Sequence, residues 1–280
     1  MNYLTSNINM NYLTSNIIKY VIILTAVAFF FFPIWWMFIT SMKPQLEVMY
    51  YPPKFLPPEI TFKYYFDSLH WEAGHSIKNS FIITSVTTVI ATILGCMAGY
   101  SFARYKIGGF HLPFWVLSIR MMPPVAAIIP LFMIMLKLRL IDTHLAIIIT
   151  HLLVTLPFAV WMMRGFFIEM PVEIEEAATI DGCSKWQIFW RIALPLTAPG
   201  IAVTALFCFI FSWNEFIFAL VLSRKDAITL PVIIAGTRTQ FGIHWSVMTA
   251  MSAMACLPVF AIALVAQKYL VRGLTLGAIK

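Results

Sequence analysis

Ionisable and amide side chains inside apolar stretches are the residues of this sequence best suited to handle a solute. Arg120 lies in one such stretch, His151 and Thr155 in a second, and Asn214 and Glu215 in a third. Charged groups are costly within a bilayer, and they usually face a cavity or a partner. We therefore predict that these side chains line a solute path, where amides, hydroxyls and aromatic faces would suit a sugar.

Two of these side chains also have structural alternatives. Glu215 could pair with Arg120, hydrogen-bond a neighbouring helix, or extend to the membrane interface. A lone histidine in an apolar helix, such as His151, is more often a packing residue with satisfied hydrogen bonds than a ligand. The sequence alone leaves these alternatives open.

No catalytic or metal-binding set is recognisable in the sequence. The P-loop lysine motif of nucleotide hydrolases and the HExxH motif of zinc proteases are both absent. The four cysteines lie far apart without a CxxC pair, which predicts neither a zinc site nor a disulfide framework: Cys96, Cys183, Cys208 and Cys256. We therefore expect a protein that is not an enzyme, binds no metal or cofactor, and does not hydrolyse ATP alone.

The composition indicates an integral membrane protein. Of its 280 residues 61% are hydrophobic and only 11% are charged, with a mean hydropathy of +0.85. Soluble domains are typically about 25% charged. The net charge of +7 comes from basic residues scattered singly between apolar runs. A nucleic-acid surface would cluster them, so we expect contacts with lipid headgroups and no nucleic-acid partner.

Six stretches are long and apolar enough to be spanning helices, which need about 20 residues each. The predicted fold is therefore all-α and polytopic, with helices at about 20–40, 79–103, 112–136, 145–167, 198–222 and 246–270. MNYLTSNI occurs at residues 1–8 and again at 10–17, which suggests a duplicated start or an added segment over residues 1–9. We expect residues 10–280 to form a single transmembrane domain. Basic residues divide evenly between the two sides, so the positive-inside rule leaves the orientation undecided.

The polar segment at residues 168–197, called the linker segment below, predicts two short helices joined by a sharp corner. Pro171 and the acids that follow it suit a helix start, and Gly182 suits a left-handed helix end. Ser184 and Gln187 have the spacing of a capping box, and Pro195 stops the second helix. We expect the first helix to present its alanines and acids outward. The second should anchor itself through aromatic residues, with Trp186, Phe189 and Trp190 on one face.

These residues also carry a resemblance to a known family. Glu176-Ala177-Ala178, three residues, Gly182, nine residues and then Ile192-x-Leu194-Pro195 resembles the EAA loop of binding-protein-dependent ABC importer permeases. The order of elements from residue 17 onward is similar to that of the maltose-type permeases. The resemblance implies a type I ABC importer permease fold and an ATPase-docking loop at residues 171–195. Its docking positions would be Glu176, Ala177, Ala178, Asp181, Gly182, Ile192, Leu194 and Pro195.

The same resemblance implies a set of partners and a location. The partners would be a second homologous permease subunit, two ATPase subunits that bind ATP and Mg, and an extracytoplasmic solute-binding protein. Glu176 would pair with a basic residue of the ATPase cleft, and Gly182 would set the bend. The chain would lie in the cytoplasmic (inner) membrane of a bacterium or archaeon, with both termini cytosolic. The loop at 223–245 would then face the binding protein.

The function expected from these features is that of the permease subunit of an ATP-driven importer for a sugar or sugar alcohol. Alternating access would open the path to one side of the membrane at a time. An ion-coupled secondary transporter is the alternative. It would need intramembrane acids, for which Glu215 is the clear candidate.

Overall fold

The computed structural model describes residues 2–57, 59–109, 111–239 and 242–276. Almost all of the regular structure is helical, with two π-helical turns at Leu69–Ala73 and Phe189–Ala193. The α-helices are α1 (Asn2–Ser41), α2 (Gln45–Val48), α3 (Lys63–Ser68), α4 (Gly74–Arg104), α5 (His111–Ile119), α6 (Pro124–Lys137), α7 (His144–Glu169), α8 (Val172–Ile180), α9 (Lys185–Ile188), α10 (Leu194–Leu196), α11 (Ala198–Trp213), α12 (Ile217–Leu222), α13 (Leu230–Gly236) and α14 (Trp245–Leu276). The strands β1 (Arg238–Thr239) and β2 (Gly242–Ile243) pair antiparallel.

The spanning helices agree with the prediction of an all-α membrane fold. By length and composition, α1, α4, α7 and α14 each contain a continuous membrane span. Two bent pairs bring the total to as many as six: α5 with α6, bent by 82°, and Lys185–Leu196 with α11, bent by 76°. The all-α polytopic fold is confirmed.

Two of the predicted helices are broken. The stretch at 112–136 divides between Ile119 and Pro124, because prolines at 123 and 124 lack an N–H and disfavour helical conformation in the residue before them. The stretch at 198–222 ends its first part at Trp213 and resumes at Ile217. Periodicity alone predicts both stretches as continuous, although Arg120 and the two prolines mark the first break and Asn214 and Glu215 mark the second.

The chain divides into two compact units. The smaller contains residues 1–68 and 237–253, and the larger contains residues 69–236 and 254–280. The single domain expected for residues 10–280, and the origin of residues 1–9, both stay predictions.

In the larger unit, α4 and α7 pack with their backbones in close approach. A Cβ added at Gly95 would lie 2.6 Å from the Cβ of Ala159, and one added at Gly99 would lie 2.8 Å from the backbone nitrogen of Arg164. Small residues at helix crossings are how membrane helices approach closely and gain van der Waals contact. These glycines therefore fix the distance between α4 and α7.

At one end of the larger unit, the loop at 223–229 is held by its backbone. The Asp142 carboxylate accepts hydrogen bonds from the backbone N–H groups of Arg224 (2.8 Å), Asp226 (3.0 Å) and Ala227 (3.0 Å), and also from that of Lys225. Asn79 Nδ2 donates to the carbonyls of Asp226 and Ile228, at 2.9 and 3.0 Å. These bonds give the loop a defined shape without using its own side chains.

Substituting Gly99 with alanine should destabilise the protein, because the added methyl meets backbone atoms of α7. We expect a loss of about 1–3 kcal/mol, the usual cost of overpacking. Gly165→Ala is the matched control, because no atom lies within 4 Å of its added Cβ. Thermal unfolding in detergent, followed by fluorescence-detected size exclusion, measures both variants. Equal melting temperatures would contradict the close-packing argument.

Replacing Asp142 with asparagine should loosen the loop at 223–229. Partial burial raises the pKa of Asp142, but the four backbone N–H groups outweigh it and lower that pKa to about 2. The stabilisation is therefore complete above the unfolded-state pKa of about 4, and it is lost as the pH falls toward 2.

Hydrogen exchange at neutral pH tests this interaction. Asp142→Asn should speed exchange of the amides at 224–227 by roughly fivefold or more, corresponding to about 1 kcal/mol for weakened charge-assisted bonds. Asp226→Asn makes the same charge change on an exposed loop side chain and should leave exchange unaltered. Equal protection in the two variants would show that Asp142 does not hold the loop.

Candidate functional site

The linker segment is fastened to the end of α4 by a buried ion pair. Arg104 Nε donates to Glu175 Oε1 at 2.7 Å, and the Tyr100 hydroxyl donates to Glu175 Oε2 at 2.9 Å. Arg104 Nη2 also donates to the Met170 carbonyl at 2.9 Å, where α7 ends. Glu175 is only 9% exposed. These bonds fix the position of α8 relative to α4 and α7.

The Arg104–Glu175 ion pair determines which residues of the predicted docking loop are exposed to solvent. Glu176 and Ala177 are exposed, whereas Ala178 is buried beside Glu175 on the inner stripe of α8. The expectation that the alanines and acids all face outward is therefore wrong for Glu175 and Ala178. The physical reason is the helical period, which puts residues three apart on one face, together with the Arg104 charge that compensates a buried carboxylate. Asp181 is exposed at the end of α8.

The corner after α8 is built as the sequence indicated. Gly182 has a φ of +82°, and the N–H of Cys183 donates to the Ala178 carbonyl at 3.0 Å. A Cβ at Gly182 would meet nothing within 4 Å, so the backbone conformation alone favours glycine. The capping box is present: the N–H of Ser184 donates to Gln187 Oε1 at 2.7 Å, and the N–H of Gln187 donates to Ser184 Oγ at 3.4 Å.

The second half of the linker segment packs with a different face from the one expected. Phe189 and Ala193 are buried, and the Phe189 ring lies 5.0 Å from the Tyr100 ring. Trp186 and Trp190, however, are 62% and 54% exposed, so the expectation that both anchor the helix is wrong.

A π-helical turn at Phe189–Ala193 follows Trp186 and contains Trp190. The N–H of Leu194 bonds to the Phe189 carbonyl five residues back, which changes the periodicity that the prediction assumed. The remaining motif positions lie in or beside this turn, with Ile192 and Leu194 half-buried and Pro195 exposed.

The predicted path residues Arg120 and Asn214 both lie at helix breaks. The Arg120 guanidinium, between α5 and α6, lies 4.1 Å from the centroid of the Phe211 ring and 4.8 Å from that of Phe158. Asn214, where α11 ends, is exposed, and its Nδ2 donates to the Ile210 carbonyl at 2.8 Å. Since Phe211 and Asn214 are three residues apart on one helical turn, Arg120 and Asn214 border the same aromatic surface.

The other predicted path residues are largely enclosed, since His151 and Thr155 are buried and Glu215 is half-buried. His151 Nε2 lies 3.1 Å from Glu215 Oε2, and His151 Nδ1 lies 2.8 Å from Ser212 Oγ. Thr155 is 0% exposed, and its hydroxyl donates to the His151 carbonyl at 2.9 Å. The Glu215 carboxylate faces His151, so the alternative of an Arg120–Glu215 ion pair is wrong. A path-lining role for these residues stays a prediction.

Glu215 also provides hydrogen-bond acceptors at the break between α11 and α12. Its Oε1 accepts a hydrogen bond from the N–H of Phe218 at 3.0 Å, and its Oε2 accepts one from the N–H of Ala219 at 3.2 Å. These N–H groups begin α12 and have no partner within the helix, so a nearby acceptor is needed in an apolar environment. Glu215 and His151 therefore support the junction between α11 and α12.

The residues that the sequence reasoning missed are the anchors of the linker segment, Tyr100 and Arg104. Arg104 was available as a signal, because it is a basic residue in the last turn of an otherwise apolar helix. Nothing in the sequence paired it with Glu175, 71 residues later. Among the residues that the structure describes, no group of three or more His, Cys, Asp or Glu side chains is placed to hold a metal ion.

Comparison with known proteins agrees with this architecture. Residues 91–276 match the family described as binding-protein-dependent transport system inner membrane component. The trehalose transport system permease protein SugB of Mycobacterium tuberculosis is 36% identical, over 89% of this chain and 92% of its own. The diacetylchitobiose uptake system permease protein DasC of Streptomyces coelicolor is 32% identical, over 91% of this chain and 95% of its own.

A solved structure matches at the level of the whole fold. A bacterial ABC transporter involved in import of the acidic polysaccharide alginate aligns with a TM-score of 0.73 and 27% identity, covering 91% of this chain and 95% of that one. The family match spans more than half of the chain, and the relatives match along nearly all of it. This chain therefore belongs to the binding-protein-dependent inner membrane components, the permease subunits of ABC importers.

Proposed function

We propose that this chain is the permease subunit of an importer for a sugar or sugar alcohol, coupled to partner ATPases through residues 171–195. The observation that carries the coupling is the linker segment, which exposes Glu176, Ala177 and Gly182 while Glu175 fastens it from beneath. The relatives named for trehalose, diacetylchitobiose and arabinooligosaccharides support a carbohydrate as the solute.

In this proposal the linker segment lies in the cytosol, together with both termini. Two ATPase subunits bind ATP and Mg, and the exposed small residues of α8 let one of them approach closely. Glu176 supplies a carboxylate for a basic residue of that partner. When the ATPases close, the motion reaches α8 and passes through Arg104 and Tyr100 to α4. Because the connection is a buried ion pair, α8 and α4 move as one body.

The remaining partners belong to the membrane and its outer face. A second homologous permease subunit completes the path, and an extracytoplasmic solute-binding protein delivers the solute. The loop at 223–229 and the β1–β2 hairpin both precede α14, on the side that this orientation makes extracytoplasmic. Their position in the chain supports a role in meeting the binding protein.

The solute path in this proposal runs past the two helix breaks. Arg120 and Asn214 border an aromatic surface that also includes Phe207, whose ring centroid is 6.1 Å from that of Phe211. Aromatic faces with a few polar groups are typical of ligand-binding surfaces. An ion-coupled mechanism would need Glu215 to release its partners, and its carboxylate already accepts bonds from Phe218 and Ala219 beside His151. No observation favours that alternative.

Charge reversal at Glu176 should uncouple the importer. We expect Glu176→Lys to reduce solute-stimulated ATP hydrolysis of the assembled complex by roughly tenfold or more, the effect of losing a charged contact of about 1.5–3 kcal/mol. The side chain is exposed, so the amount of permease in the membrane should not change. Glu169→Lys, at an exposed position where α7 ends, is the control for charge alone. Full coupled hydrolysis in Glu176→Lys would reject the docking role.

Removal of the polar groups at the helix breaks should impair transport. Arg120→Ala and Asn214→Ala should each lower sugar uptake into proteoliposomes by roughly tenfold, the cost of one or two lost hydrogen bonds to the solute. Met121→Ala, at a side chain that is 77% exposed beside Arg120, should transport normally. Co-purification with the ATPase subunits checks that assembly is intact. Normal uptake in both variants would remove them from the path.

A further inference from the structure

The smaller unit contains a cavity that the translocation mechanism does not use. Its volume is 210 Å³, and it lies where α1 ends and α14 begins. Two tryptophans and several polar side chains line it, among them Trp36, Trp245, Thr40, Lys43, Glu47 and Thr249. With the N-terminus cytosolic, as proposed above, the end of α1 is on the extracytoplasmic side.

Two oxygen atoms of the residues lining this cavity are buried without a hydrogen-bond partner in the described part of the chain. They are Thr40 Oγ1 and Glu47 Oε2. Thr40 is only 6% exposed. Leaving a buried polar atom unsatisfied costs about 1–3 kcal/mol, and native structures retain few such atoms without a reason. Thr249, on the same cavity, differs because its hydroxyl donates to the Trp245 carbonyl at 2.7 Å.

The cavity also contains one buried cation whose position is fixed. Lys43 is 3% exposed, its Nζ lies 4.5 Å from the centroid of the Trp36 ring, and it donates to the Lys54 carbonyl. Burial lowers the pKa of Lys43, and the nearby Glu47 opposes that shift. The cavity therefore offers an ammonium donor, a carboxylate acceptor and a hydroxyl, with one positive and one negative charge among them.

We propose that this cavity binds a single pyranose ring of a neutral sugar, as a site separate from the path at Arg120 and Asn214. The inference rests on the proposed import of carbohydrate. A sugar hydroxyl donates to Glu47 and accepts from Thr40 or Lys43, so one ligand satisfies both orphan oxygens. The indole rings of Trp36 and Trp245 supply the apolar walls. The volume is below the roughly 300–1,000 Å³ typical of larger ligands, so it suits one ring and not an oligosaccharide.

The test is direct sugar binding to the assembled importer without its binding protein, in nanodiscs free of sugar-based detergent. The probes are the radiolabelled methyl pyranosides of glucose, galactose and mannose. We expect at least one of them to bind, and Thr40→Val and Glu47→Gln to weaken its Kd by about tenfold each, as loss of one hydrogen bond predicts. Thr249→Val, which removes a hydroxyl already satisfied within its own helix, should leave the Kd unchanged.

The melting temperature of each variant shows whether weaker binding results from misfolding. Thr40→Val removes an orphan hydroxyl and keeps the side-chain shape, so its melting temperature without sugar should equal or exceed that of the unaltered protein. Failure of every pyranoside to bind at millimolar concentration would overturn the proposal, as would equal weakening by Thr40→Val and Thr249→Val.

Two further outcomes distinguish sugar binding at this cavity from lipid binding there and from the proposed import function. Phosphatidylglycerol that co-purifies with the importer, is lost in Thr40→Val and is displaced by no pyranoside would mean that a lipid glycerol headgroup occupies the cavity, and it would overturn the sugar assignment. Sugar uptake by the complete importer tests the proposed function independently. Uptake without binding at this cavity rejects the inference alone, whereas an importer that transports no sugar rejects the proposed function.

Discussion

The buried carboxylate of Glu175 is the constraint on which the position of the linker segment depends. An ionised acid withdrawn from water is tolerated only where opposite charge and hydrogen bonds replace its hydration. Arg104 and Tyr100 provide both, and Arg104 also binds the Met170 carbonyl. Three helices thus meet at one ionic contact. Removing one partner of such a pair typically costs about 3–5 kcal/mol, so separating α8 from α4 would leave a costly unpaired charge.

A second acid of the larger unit supports a helix break. Glu215 contacts His151 of α7. It satisfies the backbone where α11 stops and α12 starts. A membrane helix can be interrupted only where other groups replace its lost hydrogen bonds. With His151 and Ser212 behind it, the break becomes a fixed feature, and Asn214 is left exposed at the gap. The exposed position of Asn214 therefore depends on residues that are themselves enclosed.

The sequence was most informative where local chemistry determines structure. Gly182, the Ser184–Gln187 capping box and the long apolar helices were all predictable, because each depends on residues close in the chain. The faces of the linker segment were less predictable. Glu175 and Glu176 are chemically alike neighbours, and only the distant Arg104 decides which one is buried. The exposure of Trp186 and Trp190 beside the buried Phe189 was also not predictable, because all three residues fit one face of a regular helix. The residues of the cavity beside Trp36 come from two ends of the chain, so spacing offered no indication of it.

The way Asp142 holds the loop at 223–229 has an evolutionary consequence. Its carboxylate binds four main-chain amides and no side chain of the loop. The shape of the loop therefore does not depend on the exposed side chains at 224–226, where almost any amino acid is compatible with it, whereas Ala227 is buried in the hydrophobic core. Proline is the exception, because it has no amide hydrogen to donate. Evolution can therefore change the charge and size of the exposed side chains of this loop, while Asp142 and Asn79 elsewhere in the chain preserve its shape.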